Sequence, residues 1–208
     1  MRTRANALLL ATGLFACPTL ADANPWAGIG IGVYGHSNTV TADSTFSAFG
    51  SSVSDESDDD TSGLGIKLSY RSFDEGFGYS FDARLQNLDA DIDLYGDSRL
   101  EVNALASVGT SLGYMSGPHF LYGVLEVGQT SVDYRVDGYG SSSEGLLSFG
   151  LGAGYTFSVT DNVELNAEII GRALQDLEID YTGGAYAGVT EEIDITVGTV
   201  SLGLSYRF

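Results

Sequence analysis

Val200-Ser-Leu-Gly-Leu-Ser-Tyr-Arg-Phe208 puts Val200, Leu202, Leu204, Tyr206 and Phe208 on one face of an extended strand, with small or polar residues between them. Successive side chains of a strand point to opposite faces, so this pattern fits hydrocarbon on one side and a polar interior on the other. The same alternation recurs upstream. Residues 63–71 set Leu64, Ile66, Leu68 and Tyr70 against Gly65, Lys67 and Ser69, and residues 77–86 set Phe77, Tyr79, Phe81, Ala83 and Leu85 against Asp82, Arg84 and Gln86. Further runs over 26–34, 100–114, 121–134, 147–157, 163–173 and 193–208 bring the candidate strands to eight. All reach the roughly 9–11 residues that a tilted strand needs to cross a bilayer.

The connections alternate in length. Asp74-Glu75-Gly76, Ser116-Gly117-Pro118 and Thr160-Asp161-Asn162 are rich in turn-forming residues, whereas longer polar stretches cover 36–62, 88–99, 136–144 and 176–192. The fold expected is all-β: an eight-stranded antiparallel up-and-down transmembrane β-barrel with four extracellular loops and three short periplasmic turns.

Composition agrees. The chain holds 28 Gly, 12 Tyr and 10 Phe but only 3 Pro, which suits a lumen packed by small residues and aromatic girdles at the membrane interfaces. A formal charge of -19 argues against a nucleic-acid partner, which demands basic surface. At the start, Arg2 and Arg4 precede an apolar run over 5–16, and Ala21-Asp22-Ala23 supplies a small-x-small cleavage pattern. Residues 1–23 are therefore expected to be a cleaved signal peptide, leaving a single barrel domain over 24–208. The one cysteine, Cys17, falls in the removed segment, so no disulfide is expected.

Inward positions carry Lys67, Arg71, Arg84 and Arg172 beside Asp82, Glu101, Glu126, Glu164 and Glu168. A barrel of eight strands has room inside for little but side chains. Buried charges must be paired to be tolerated, so this set is expected to form a charge-paired plug, with an ion path as the alternative.

Beyond the membrane band the polarity inverts. Asp89, Asp91 and Asp93 face out while Leu88, Ile92 and Leu94 face in; Gln129, Ser131, Asp133 and Arg135 oppose Val132, Tyr134 and Val136; Glu192, Asp194 and Thr196 oppose Ile193, Ile195 and Val197. The strands are thus expected to project past the lipid around a small apolar core. On the seventh strand this needs a bulge near 173–175 to turn Leu177, Ile179 and Tyr181 inward.

The first long connection, with Asp55, Glu56, Asp58, Asp59 and Asp60, is expected to be a mobile acidic loop with weak divalent-cation binding at most. It lacks the glycine and terminal glutamate of an ordered calcium loop. No resident metal and no cofactor are expected.

Three segments carry a family resemblance: Phe120-Leu-Tyr-Gly-Val-Leu-Glu-Val-Gly128, Leu151-Gly-Ala-Gly-Tyr-Thr-Phe157 and the ending Ser205-Tyr-Arg-Phe208. With them, essentially the whole mature chain resembles the outer membrane protein β-barrel domain family, the small OmpA/OmpX-type and opacity-like barrels. The resemblance implies a bacterial outer-membrane location among lipids and lipopolysaccharide. It also implies that Val200, Leu202, Leu204, Tyr206 and Phe208 form the signal read by the barrel-insertion machinery, and that structural, adhesive or immune-evasion roles fall to the loops and an extracellular partner. No peptidoglycan-binding domain follows the barrel, so the wall-tethering role of two-domain relatives is not expected. His36 with Asp97-Ser98 is loosely similar to the lipid A palmitoyltransferase arrangement, but the amphipathic helix and apolar lumen of those enzymes are missing. His36-Ser37 departs from the His-x-Ser element of deacylase barrels, and His119 falls at a periplasmic turn. The expected function is a non-catalytic surface barrel. A narrow pore or conduit for small hydrophobic ligands, and a lipid A-modifying enzyme, are the alternatives.

Overall fold

A computed structural model describes residues 26–49, 51–94, 98–136, 140–181 and 188–208. The expected leader, residues 1–23, and Asp97 lie outside them. Nine strands follow in order: β1 (Gly28–Ala48), β2 (Ser51–Asp74), β3 (Phe77–Leu94), β4 (Ser98–Ser116), β5 (His119–Val136), β6 (Gly140–Ser158), β7 (Val163–Leu174), β8 (Leu177–Asp180) and β9 (Thr190–Arg207). Eight of them close an antiparallel barrel by way of a β1–β9 pairing, and β8 is a short addition on the free edge of β9. Successive partners Ile31, Leu68, Ala83, Val108, Val127, Phe149, Ala173 and Thr196 lead once round the wall and back to β1 at Thr41, ten positions above the start. That stagger tilts the strands.

Local chemistry sets the turns at the periplasmic end. Glu75 and Gly76 both have positive φ, 47° and 88°, between the paired Asp74 and Phe77. This is the primed two-residue turn whose twist matches a hairpin, and glycine makes its second position inexpensive. In the third turn Thr160 Oγ1 accepts hydrogen bonds from the backbone N–H groups of Asn162 and Val163.

The outward alternation forms a continuous apolar belt. Leu64, Leu151 and Leu202 are 76, 68 and 69% exposed, an arrangement that water would penalise and hydrocarbon accommodates. The 21 residues of β1 run roughly 70 Å. At a tilt of about 40° they rise roughly 50 Å, about twice the apolar band of a typical outer-membrane barrel. The surplus stands above the membrane.

There the closed wall divides. β2 pairs with β3 only from Gly65 and Gln86 down to Asp74 and Phe77, and β6 pairs with β7 only from Ser148 down to Ser158. Above those points the described residues form two four-stranded sheets, β8-β9-β1-β2 and β3-β4-β5-β6. Their inner faces share one core that includes Val40, Ile92, Leu100, Val102, Ile193 and Ile195, none more than 1% exposed. The register between β7 and β9 slips by one residue before β8 (Ala173 opposite Thr196, Leu177 opposite Ile193), which turns Leu177 and Tyr181 inward.

Two expectations are corrected. Residues 36–62 are not a mobile loop: β1 and β2 pair without interruption up to Ala48 and Ser51. The backbone groups of β2 that face β1 find their partners there, and β1 is paired on both sides, by β2 and β9, which outweighs the weak strand preference of Ser and Asp. Glu101 is not a lumen residue. A bulge between Val102 and Ala104 inserts Asn103, so Leu100 and Val102 point inward above it and Glu101 points out, partly buried.

Candidate functional site: the barrel interior

Three layers fill the barrel from the periplasmic end upward. The lowest is aromatic and charged. Phe73 and Phe120 meet edge to face, with the Arg71 guanidinium 4.7 Å from the Phe120 ring centre. Arg71 Nη1 donates to Glu164 Oε1 at 3.0 Å, and Arg207 donates to both oxygens of the same carboxylate at 3.1 and 2.9 Å. A fork gripping both oxygens is the geometry in which an arginine–carboxylate pair is strongest.

The middle layer converges on Glu168, which accepts hydrogen bonds from Lys67 Nζ at 2.9 Å, Arg84 Nη1 at 2.5 Å and Tyr122 Oη at 2.7 Å. Arg84 also lies 3.5 Å from Asp82 and 3.8 Å from Glu126, and Asp82 is held by Ser80 and Ser111. Glu126 receives the Nε of Arg172, whose Nη1 donates to Thr199. Thr199 donates to Asn38 at 2.9 Å, and Asn38 in turn reaches His36 Nδ1 at 3.0 Å. The interior therefore gathers Lys67, Arg71, Asp82, Arg84, Glu126, Glu164, Glu168 and Arg172, each no more than 7% exposed. Five cations, counting Arg207, meet four carboxylates. Charges are costly in a low-dielectric interior unless paired, and each of these has a partner of opposite sign within 4 Å.

The upper layer is the apolar core, and it hides one more acid. Glu191 is fully buried among aliphatic side chains. Ser44 Oγ donates to its Oε1 at 2.8 Å; Tyr134 and Tyr181 donate to its Oε2 at 2.5 and 2.7 Å. Ser98 lies 3.3 Å from the Tyr134 hydroxyl. Among the described residues no cation pairs with this carboxylate. Burial, and the bond to Glu191, push the Tyr181 phenol up to about 12, and the same causes raise Tyr134 further.

Arg207, Tyr122 and the Glu191 cluster are not among the sequence-derived site residues. Arg207 follows Ser201, Gly203 and Ser205 on the inward face of β9, and Glu191 precedes Ile193, Ile195 and Val197 on it, so the period of two reaches both. Val200, Leu202, Leu204, Tyr206 and Phe208 all lie outward in the apolar belt. The acidic residues of β2 alternate faces, Asp55 and Asp59 on one and Glu56, Asp58 and Asp60 on the other, so the five do not share one face. Among the described residues no group of three His, Cys, Asp or Glu could hold a metal. His36 is buried in the polar layer beside Asn38, whereas Ser98 sits in the upper core against Tyr134, so the two do not meet. His119 lies exposed at the periplasmic end, 2.6 Å from the Tyr155 hydroxyl. A broad concavity among the described residues runs around the outside, along residues such as Val33, Ile66, Leu85, Ala106 and Leu204. It is the waist of a twisted barrel, and in a bilayer acyl chains occupy it.

A closed antiparallel barrel with an apolar outer belt and a polar, side-chain-filled interior defines the class of bacterial outer-membrane β-barrels. The model of the outer membrane protein beta-barrel domain matches residues 7–208, and the chain belongs to that family. The protein resides in the bacterial outer membrane. Among solved structures it is similar to the attachment invasion locus protein Ail of Yersinia pestis, at 21% identity and TM-score 0.50, covering 88% of this chain and 99% of that one. It is also similar to the outer membrane protein OprG of Pseudomonas aeruginosa, at 16% identity and TM-score 0.58, covering 88% and 96%. At these identities the likeness speaks for the fold. No curated protein matches the sequence.

Proposed function

We propose that this protein is a non-catalytic surface barrel: a sealed membrane anchor, residues 24–208 after removal of a leader, that displays two acidic β-sheets to the outside and meets extracellular partners through them. The observation that carries this reading is the filled interior, in which Glu164, Glu168 and Glu126 tie cations from several strands across the lumen. The outer face of the β8-β9-β1-β2 sheet adds exposed Asp43, Glu56, Asp58, Asp60, Glu192 and Asp194, a solvated surface unsuited to lipid. Lipopolysaccharide and other outer-membrane lipids surround the belt, and the outward face of β9 serves as the insertion signal.

Planar-bilayer recording tests the sealed anchor. The protein is expected to give no steady conductance at neutral pH, and a stable ohmic current would favour the pore reading. Lipid A mass spectrometry of cells with and without the protein addresses catalysis: an unchanged profile is expected, and a modification lost in His36→Ala would overturn the non-catalytic reading.

A further inference from the structure

We propose that the extracellular half is a clamshell of two sheets that opens independently of the barrel, and that the Glu191 cluster is its latch. The first support is the hydrogen-bond topology. A continuous barrel wall must break a row of backbone hydrogen bonds to open, whereas above Gly65 and Gln86 on one side, and above Ser148 on the other, no strand pairing among the described residues joins the sheets. Side chains and one backbone contact stand in at the seams. Asn87 Oδ1 accepts from the Leu64 N–H at 2.9 Å, Asp59 Oδ2 accepts from the Asp91 N–H at 2.9 Å, and the Gln175 N–H donates to the Leu147 carbonyl at 2.7 Å.

The second support is where the polar groups of the upper core come from. Ser44, Glu191 and Tyr181 belong to the β8-β9-β1-β2 sheet, and Tyr134 and Ser98 to its partner. The bond from Tyr134 to Glu191 and the 2.6 Å contact between the two phenols thus span the interface. Apart from the three seam bonds, the contact between the sheets is through the apolar core, which is non-directional and holds them together without fixing their register. A buried carboxylate without a cation is an expensive way to add stability. It is, however, a specific one: only the closed arrangement brings two phenols and a serine to it at once, and opening releases it to water. Local opening of this kind needs a unit bounded by few backbone bonds, which the seams supply.

Thiol labelling tests the idea on the full-length barrel in lipid vesicles, with Cys17 replaced. Ile195→Cys reports on the upper core and Ser111→Cys, 1% exposed, on the ion-pair layer. A water-soluble maleimide is expected to modify Ile195→Cys at a measurable rate while Ser111→Cys stays protected. Combining Ile195→Cys with Tyr134→Phe and Tyr181→Phe should speed its labelling about ten- to a hundredfold, since hydrogen bonds to a charged group are lost, and leave Ser111→Cys unchanged. If the double variant fails to fold, Glu191→Gln, which keeps the shape and removes the charge, serves in its place with a change of several-fold or more. Equal rates at the two reporters, or latch variants that label like the parent, would overturn the proposal.

Discussion

The ion-pair layer and the upper core are closed by opposite means, and the contrast divides the molecule into an anchor and an exterior cut at two seams. In the anchor an uninterrupted ring of paired strands encloses charges that bind across the lumen, as when Glu168 on β7 ties Lys67 on β2 to Arg84 on β3. Above the membrane the ring is cut at two seams, and the interior is aliphatic apart from the Glu191 cluster. A closed wall with directional pairs resists any partial opening. An open wall over an apolar core resists only separation. The fold places the first where lipid would punish a broken hydrogen bond and the second where water can take over exposed backbone.

The sharpest way to break the contrast is at the centre of the anchor. Glu168→Ala strands Lys67 and Tyr122, leaves Arg84 only its longer contacts to Asp82 and Glu126, and should cost about 3–5 kcal/mol in urea unfolding from lipid vesicles. A loss near zero would mean that the ion pairs are incidental filling. In the upper core, Leu100→Ala should cost about 2–5 kcal/mol through the cavity it leaves, yet the loss should appear as local exchange near β4 and β9 with little change in the barrel's global midpoint. On one face of β9, Leu202→Arg should cost about 2–4 kcal/mol in the lipid belt, against roughly 0–1 for Thr196→Arg above it. Similar costs for the two would remove the membrane edge from between them.

Alkaline pH should loosen the exterior. The Tyr181 phenol is raised from 10.0 to about 12, and Tyr134 moves in the same direction, so the folded state favours the protonated form. That contribution is complete below pH 10 and is lost as the pH rises through about 12. Phenolate absorbance rising together with exchange of residues 193–195 would show it. Smallest of all, Glu101→Gln, on the outer face and only partly buried, should stay within about 0.5 kcal/mol, as for other surface substitutions.

Whatever depends on a period of two was legible in the sequence. Leu64 to Tyr70 and Val200 to Phe208 show their outward faces without reference to any partner, and eight of the nine residues assigned to the lumen lie there. Register was harder to read. Glu101 was misplaced because one extra residue, Asn103, reverses the faces of β4 with no local mark in the sequence. The pairing of Lys67 with Glu168, 101 positions away, follows from a stagger that emerges only when all eight strands close. Residues 36–62 misled through composition, since Ser and Asp argue for a loop whereas pairing with a long neighbour makes them a strand. The Glu191 cluster draws on β1, β4, β5, β9 and the segment after β8, and nothing local to any of them announces the others.

Native-state hydrogen exchange in lipid vesicles tests the division most directly. Two tiers are expected: strong protection for residues 31–34 and 165–169 in the barrel wall, and markedly weaker protection, lost together, for residues 40–44, 132–134 and 193–195. A single protection factor shared by both sets would contradict it.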